Sequence, residues 1–429
     1  MSELPKGWVQ TKFTDTLDVN GGTQPPKSEF IDEPKEGYIR LLQIRDFGKK
    51  PVPTYIPDNG KRRICKKEDI LIGRYGASIG RICTGMEGAF NVALARVAKP
   101  EEISSGYLKH FLQSHLFQDP LSMLSRSAQN GFNKQDLAEF NFPLAPENEQ
   151  TRIANKLDSI LAKVDVAQAR LDKIPNILKR FRQSVLAAAT SGELIGENVD
   201  TWNNSPLVSL LSNIADCPHS TPKWTAEGKI CVRTTAFKPF NLDLTEQKKV
   251  SQETYIERTK RLEPKAGDIL YSREGAILGV ACQIPEGVEL CLGQRMLVMR
   301  AGEKIDPRYL TIVLNSPLIT DPIKSLTIGN AAPRINMSVI KNFNIPYPCL
   351  KKQKEIVRRF EAMFENAGKV EKKYLKAKDH TNRLTQSILA KAFRGELVAQ
   401  DEDDEPASKL LARIKEQTEL LKPRKKAKK

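Results

Sequence analysis

Ten positions along this chain recur, one for one, 203 residues later. Ile153, Leu157, Ile160, Val164, Ala167, Leu171, Ile174, Leu178, Phe181 and Val185 follow one another at alternating intervals of 4 and 3. Ile356, Phe360, Met363, Ala367, Val370, Tyr374, Ala377, Thr381, Leu384 and Ile388 repeat the spacing. A 3.5-residue period kept this long is the seam of a coiled coil. Each seam covers 33 residues, which at 1.5 Å per residue makes a rod of roughly 50 Å. Two equal seams in one chain most simply pack on each other. Pro175 interrupts the first seam and Lys378 takes its place in the second. A proline removes an amide donor and clashes with the preceding turn, so a kink or break is expected in the first helix only.

The rest of the chain repeats too. Asp69-Ile70-Leu71 returns at 268–270 and Gly76-Ala77-x-x-Gly80 at 275–279, both at an offset of 199. Phe140-Asn141-x-Pro143 returns at 343–346, Gln183-Ser184-x-Leu186-Ala187 at 386–390 and Gly192-Glu193-Leu194 at 395–397, all at 203. Five matches in one order make the chain two copies of a unit of about 200 residues. The expected fold class is α+β. Two similar globular domains, 1–145 and 201–348, are joined by two long coiled-coil helices at 146–200 and 349–400. An acidic-then-basic tail, 401–429, follows. Strand-type runs such as Tyr38–Ile44, Asp69–Ile72, Ile230–Arg233 and Met296–Met299 belong to the globular parts, with helices near 106–117 and 307–314. Pro146-Glu147-Asn148-Glu149-Gln150 marks a helix start by its acids, and Gly192 and Gly395 mark helix ends. Ser408 is placed to cap a short tail helix with Leu410, Leu411, Ile414 and Leu421 on its apolar side.

Charge narrows the choice of partner. The net charge is +16; the tail holds nine basic and seven acidic residues, so the body keeps +14. Positive charge spread over folded domains is the footprint of a polyanion binder. The run Lys422–Lys429 holds six basic residues that would suit phosphates, or simply solvent. Seven cysteines without a Cys-x-x-Cys pair exclude a disulfide framework and a zinc site, and imply reduced thiols. His110, His115, His219 and His380 form no ligand spacing, so no metal is expected. The segment Gly21–Ser28 has Pro26 where a phosphate loop needs glycine before its lysine. Gly76–Gly80 lacks a dinucleotide fingerprint, and there is no Asn/Asp-Pro-Pro-aromatic segment. No catalytic residues are therefore assigned. The absence of a long apolar run or secretory leader points to a cytoplasmic protein with no membrane partner.

Together these features resemble the specificity subunits of type I restriction-modification systems. The likeness rests on Gly267-Asp268-Ile269-Leu270 followed by Arg273-Glu274-Gly275, and on Phe-Asn-x-Pro ahead of Glu149-Gln150 and of Gln353. It also rests on Arg182–Leu186 and Gln386–Leu389, each closing on Gly-Glu-Leu, and on Asp404–Ser408. The resemblance implies that each globular part is a target recognition domain reading half of a bipartite, asymmetric site in double-stranded DNA, and that the two long helices form an antiparallel coiled-coil pair acting as a spacer between them. It implies two methyltransferase subunits that methylate adenine N6 with S-adenosylmethionine, and two restriction subunits that add ATP- and Mg-dependent translocation and cleavage. This chain itself would hold no cofactor and catalyse nothing. A free-standing DNA-binding regulator, or an enzyme with its own nuclease or methyltransferase centre, are the rival readings. If the rods space the readers, ~50 Å sets an upper limit of roughly fifteen base pairs between domain centres.

Bases are read chiefly by Arg and Lys to guanine and by Asn and Gln to adenine. The DNA-binding candidates are Lys27, Arg40, Gln43, Arg45, Arg74, Arg126, Gln129, Asn130 and Asn133 in the first domain. In the second they are Lys223, Arg233, Thr234, Arg273, Asn330 and Arg334. For any single one, a solvated or phosphate-positioning role competes with base readout. The loops that carry them differ in length between copies: Gly22–Gly37 aligns with a shorter stretch near Ser220–Gly228. That difference fits two readers of different half-sites, and it also fits neutral loop drift.

Overall fold

The computed structural model describes residues 4–48, 50–127, 131–275, 277–327 and 333–421. The chain divides into two compact units, Met1–Leu171 with Ala377–Lys429, and Asp172–Lys376.

Unit 1 begins with β1 (Val9–Lys12). Strands β2 (Asp18–Gly21), β3 (Tyr38–Leu42), β4 (Tyr55–Pro57), β5 (Ile64–Cys65) and β6 (Ile70–Gly73) follow. After them come β7 (Ile82–Cys83), β8 (Gly88–Phe90), β9 (Leu94–Ala98) and β10 (Asn141–Leu144). One sheet has the order β2-β9-β6-β7 and is antiparallel throughout. The other runs β4-β3-β8-β5, with β3 and β8 parallel. Leu42, Cys65, Leu71, Cys83, Phe90 and Leu94 fill the space between the sheets. Helices Ser105–Gln113 and His115–Ser127 cover the far side. Their aromatic core includes Tyr107, Phe111 and Phe117, and edge contacts at 5.2 and 5.7 Å bring in Phe393 from the end of the second long helix.

Unit 2 repeats the plan. Its strands are β11 (Asn203–Pro206), β12 (Leu211–Asp216), β13 (Trp224–Thr225), β14 (Lys229–Val232), β15 (Phe237–Lys238) and β16 (Asn241–Leu242). The series continues with β17 (Lys248–Val250), β18 (Ile269–Ser272), β19 (Ala281–Gln283), β20 (Leu290–Leu292), β21 (Met296–Ala301) and β22 (Asn344–Tyr347). The sheet β12-β21-β18-β19 reproduces β2-β9-β6-β7. In β13-β17-β14-β20 the pair β14–β20 is parallel, as β3–β8 is. Even the outlying pairs β1–β10 and β11–β22 match. The duplication read from sequence is thus a duplication of topology, and the expected α+β architecture is present in both copies. Several elements have no counterpart, among them β5 in unit 1 and the β15–β16 hairpin in unit 2; helix Gln252–Thr259 fills the place between β17 and β18, whereas unit 1 has no helix between β4 and β6.

The first seam forms two helices, Glu147–Leu171 and Ile174–Ser191, while the second is one helix, Leu350–Ala392. Pro175 falls in the first turn of its helix, where the missing amide costs no bond, so the break occurs where expected and in the first seam only. Gly192 (φ 88°) and Gly395 (φ 73°) end the helices in the left-handed conformation, as read. In unit 2, Val185 and Ala189 pack with Ile356, Val357 and Phe360, Arg182 pairs with Glu371 at 2.6 Å, and Arg359 donates to the Leu194 carbonyl. Rising numbers in one helix meet falling numbers in the other, so the pairing is antiparallel. In unit 1, Ile153 and Leu157 pack with Leu389, Ala392 and Phe393. Leu178 and Tyr374 are buried, and Ile160, Val164 and Leu171 are half-buried. Other seam positions need correction: Phe181, Met363, Val370 and Leu384 are 37–45% exposed, and Ala167 is exposed too. A 3.5-residue pattern drifts about 20° per heptad on a 3.6-residue helix. Phe364 instead packs half-buried against the core, and Glu371 reaches Arg182 on the other helix.

Six of the seven cysteines are free and buried, and Cys349 is free and exposed. Burial pushes the Cys65 and Cys83 thiols up to about 11 and Cys282 to about 12, which keeps them protonated and unreactive. The tail forms the helix Ala407–Leu421, which begins two residues earlier than a Ser408 cap requires. Ala407, Leu410 and Ile414 are buried in the unit 1 core, as the apolar face led one to expect. The run 422–429 lies outside the described residues.

Candidate nucleic-acid interface

In unit 1 the loop ends converge. After β3 the chain turns through Ile44–Phe47, held by the Gln43 amide donating to buried Asp46 at 2.7 Å. Gln43 Nε2 and Arg45 Nη2 both donate to Thr54 Oγ1, at 3.3 and 3.0 Å, and Arg40 stands 3.7 Å from Asp46. Three of the candidates therefore share one corner. Arg74 donates from Nε and Nη2 to the Phe132 carbonyl, at 3.1 and 3.0 Å, with its guanidinium 5.2 Å from the Tyr75 ring centroid. The backbone is close enough there to demand glycine. A Cβ on Gly131 (φ 75°) would lie 2.4 Å from the Arg74 carbonyl, and one on Gly22 would lie 2.1 Å from that of Asn91. Segments 21–23, 43–47, 74–78 and 131–133 thus form one polar, basic rim. Arg63, donating to the Gly21 carbonyl, and Arg81, donating to the Phe47 carbonyl, complete it. Sequence reasoning missed both, though Arg81 directly follows the repeated Gly80.

Other candidates sit elsewhere. Lys27 is exposed on the turn Lys27–Glu29. Asn133 caps the turn Gln135–Leu137: its Oδ1 accepts from the Gln135 amide, and its own amide donates to Asp136, both at 2.7 Å. Gln129, Asn130 and Asn330 lie outside the described residues, as does the side chain of Arg126.

In unit 2, Lys223 and Arg233 are exposed, and Thr234 opens the turn Thr234–Ala236 next to them. Arg273 is a correction. It is 2% exposed, with Nε 3.3 Å from Asp216 and Nη2 3.0 Å from Glu274. Its place matches that of Arg74, but the two carboxylates draw it inward and neutralise it, so it is not available to a base. Arg334 is exposed and pairs with Glu274 at 3.3 Å. Arg258, which sequence reasoning did not single out, is 5% exposed and makes the densest set of polar contacts at this end of the unit.

Among the described residues no group of three or more His, Cys, Asp or Glu is arranged to hold a metal, and no helix is long and apolar enough to cross a membrane. Duplicated α+β modules with basic, glycine-shaped loop ends define a two-module DNA-recognition protein. The chain belongs to the type I restriction-modification specificity family: residues 5–176 and 235–377 match the model of the type I restriction modification DNA specificity domain. It is 30% identical to the specificity subunit of the type I restriction enzyme EcoKI of Escherichia coli (strain K12), over 96% of both chains. It is likewise 30% identical to the StySPI specificity subunit of Salmonella potsdam, again over 96% of both. A solved chain from a study of assembly and conformational transition in the type I R-M system matches 92% of this chain and 100% of its own length, with a TM-score of 0.74 at 18% identity. The HsdS subunit of Thermoanaerobacter tengcongensis matches 92% of this chain and 98% of its own length, with a TM-score of 0.56 at 18% identity. Those two likenesses speak for the fold.

Proposed function

We propose that the protein is the non-catalytic specificity subunit of a type I restriction-modification complex in the cytoplasm. Each unit reads one half of a bipartite, asymmetric DNA site. Two methyltransferase subunits then methylate adenine N6 with S-adenosylmethionine, and two restriction subunits cleave DNA with ATP and Mg. One observation carries this reading: two units that share the order of their antiparallel sheet present loop ends that differ in length, charge and internal bonding. Arg74 lies part-exposed in one while Arg273 is buried among acids in the other. Equal scaffolds with unequal tips suit readers of two different sequences. Candidate readers in unit 1 are Arg40, Gln43, Arg45 and Arg74, with Lys27 and Arg81 suited to phosphates. In unit 2 they are Lys223, Arg233, Thr234 and Arg334. The test is co-expression with the methyltransferase subunits, followed by mapping N6-methyladenine on random-sequence plasmids. Methylation at one bipartite motif is expected, lost when this chain is omitted. Methylation that persists without the chain, or none with it present, sinks the proposal.

A further inference from the structure

We infer that Arg258 is a positioning residue for DNA recognition by unit 2: its buried guanidinium holds the loop Pro218–Lys223 in the shape that reads one half-site, and so sets the specificity of that half alone. The inference rests on the proposed reading of the protein as a bipartite DNA reader.

Arg258 sits on helix Gln252–Thr259, an element unit 1 lacks. That helix is capped by Ser251, whose Oγ accepts from the Thr254 amide at 3.3 Å, and it turns Tyr255 and Arg258 inward. The guanidinium then bonds main-chain carbonyls on two separate segments. Nε donates to Leu292 and Nη2 to Gly293, both at 2.6 Å. Nη2 also donates to Pro218 and Nη1 to Ser220, both at 3.2 Å. The first pair belongs to the end of β20 and the residue after it, the second to the loop between β12 and β13. Gly293 also crowds the end of β14, since a Cβ there would lie 2.4 Å from the Val232 carbonyl. Arg233 follows that carbonyl directly.

Only an arginine fits this task. Its planar fork offers five fixed donors, enough for carbonyls lying on both sides, whereas an ammonium is a compact point charge. Bonds from a charged donor are the stronger kind, and carbonyls left unpaired in a buried place are costly. Loop side chains remain outward all the while: His219, Ser220, Thr221 and Lys223 are exposed. The clamp therefore spends its bonds on the backbone, apart from a long one from Nη1 to Ser220 Oγ at 3.5 Å, and engages no other side chain of the loop. Unit 1 secures its corresponding loop with two other arginines, Arg63 donating to the Gly21 carbonyl and Arg62 pairing with Glu29 at 2.5 Å, and by the close approach of Gly22 to Asn91. Each half-site thus has its own loop anchor.

The experiment uses the full chain assembled with its methyltransferase subunits, and compares wild type, R258K, R258M and Q294A by methylation of a library randomised in both half-sites. Gln294 Nε2 donates to the His219 carbonyl at 2.6 Å and anchors the same loop independently. Expected for R258M is a roughly tenfold or greater loss of base discrimination in the half-site read by unit 2, with the other half-site unchanged; R258K should fall between R258M and wild type. Equal loosening of both half-sites, or wild-type discrimination in R258M, overturns the clamp. If R258M does not assemble, Q294A decides, and unchanged discrimination there overturns it. A wild-type complex that recognises no bipartite site overturns instead the reading on which the clamp depends.

Discussion

Gln150 and Gln353 are both fully buried and do the same work in the two copies. Gln150 accepts from the Ser104 amide and donates to the Ala145 carbonyl, at 3.0 and 2.9 Å. Gln353 accepts from the Asp306 amide and donates to the Pro348 carbonyl, at 2.7 and 2.8 Å. Each pins the start of a long helix to the start of a shorter one. A second buried polar group on that face differs between the copies. His110 accompanies Asp158, with Nε2 2.9 Å from Oδ1, where the second copy has Ile312. Burial lowers the His110 pKa below its ordinary 6.5, although Asp158 pulls upward. An imidazole kept neutral by folding takes up its proton first in the unfolded chain. Its stabilising contribution is therefore complete above pH 6.5 and is lost as pH falls from there toward the lowered folded value. Unfolding by denaturant at pH 7.5 and 5.5 should show a smaller loss of stability on acidification in H110Q than in wild type; equal losses would refute the assignment. This residue was noted in the sequence only as a failed metal ligand, because a 48-residue separation from Asp158 hides the pair. The same blindness put Arg273 among the DNA readers. Its motif matches that of Arg74, but the acids that bury it include Asp216, 57 residues away in sequence on another strand.

Helices were more legible than loops. The 4-3 spacing, the break at Pro175 and both glycine stops depend on neighbours within a turn or two, so the sequence carries them openly. Which faces end up covered depends on the partner helix, and there the strict seam failed at Met363, Val370 and Leu384. The tail is the other element whose place could not be read. Its apolar face was plain, but its seat was not: helix Ala407–Leu421 lies on the N-terminal fold of unit 1, with Leu410 and Ile414 buried. Arg152 pairs with Asp404 at 2.5 Å, and Gln400 donates to the buried Glu149 at 2.7 Å. Burying two such side chains contributes about 3–6 kcal/mol. Truncation after Gln400 should therefore lower the stability of unit 1 by roughly that amount, read from its denaturant midpoint. L410A/I414A should approach the same loss and not exceed it, because undocking the helix sets a ceiling on what its side chains can cost. A truncation that leaves the midpoint unmoved would show that the seat adds nothing to folding.

At the scale of the molecule, the two halves of each seam belong to different units, with the divisions after Leu171 and Lys376. The second long helix continues through its division without interruption, from Leu350 to Ala392. Under the proposed function, a helix shared in this way would convert residue count into distance. Seven residues added to both seams, between Gln168 and Ala169 inside the helix Glu147–Leu171 and between Lys376 and Ala377, keep the heptad phase and add about 10 Å at 1.5 Å per residue. That translation equals about three base pairs at 3.4 Å each. Rotation does not follow so neatly. Seven residues turn a helix to within about 20° of its starting phase, whereas three base pairs turn a duplex by roughly 100°. The readers are thus moved apart without being turned to follow the groove. The expected result is a bipartite motif with its half-sites intact and its spacer longer by one to about three base pairs, methylated more weakly than the parent site. Insertion into one seam alone breaks the pairing register and should abolish complex formation instead. An unchanged spacer in an assembled double-insertion complex would mean that the long helices do not measure the site.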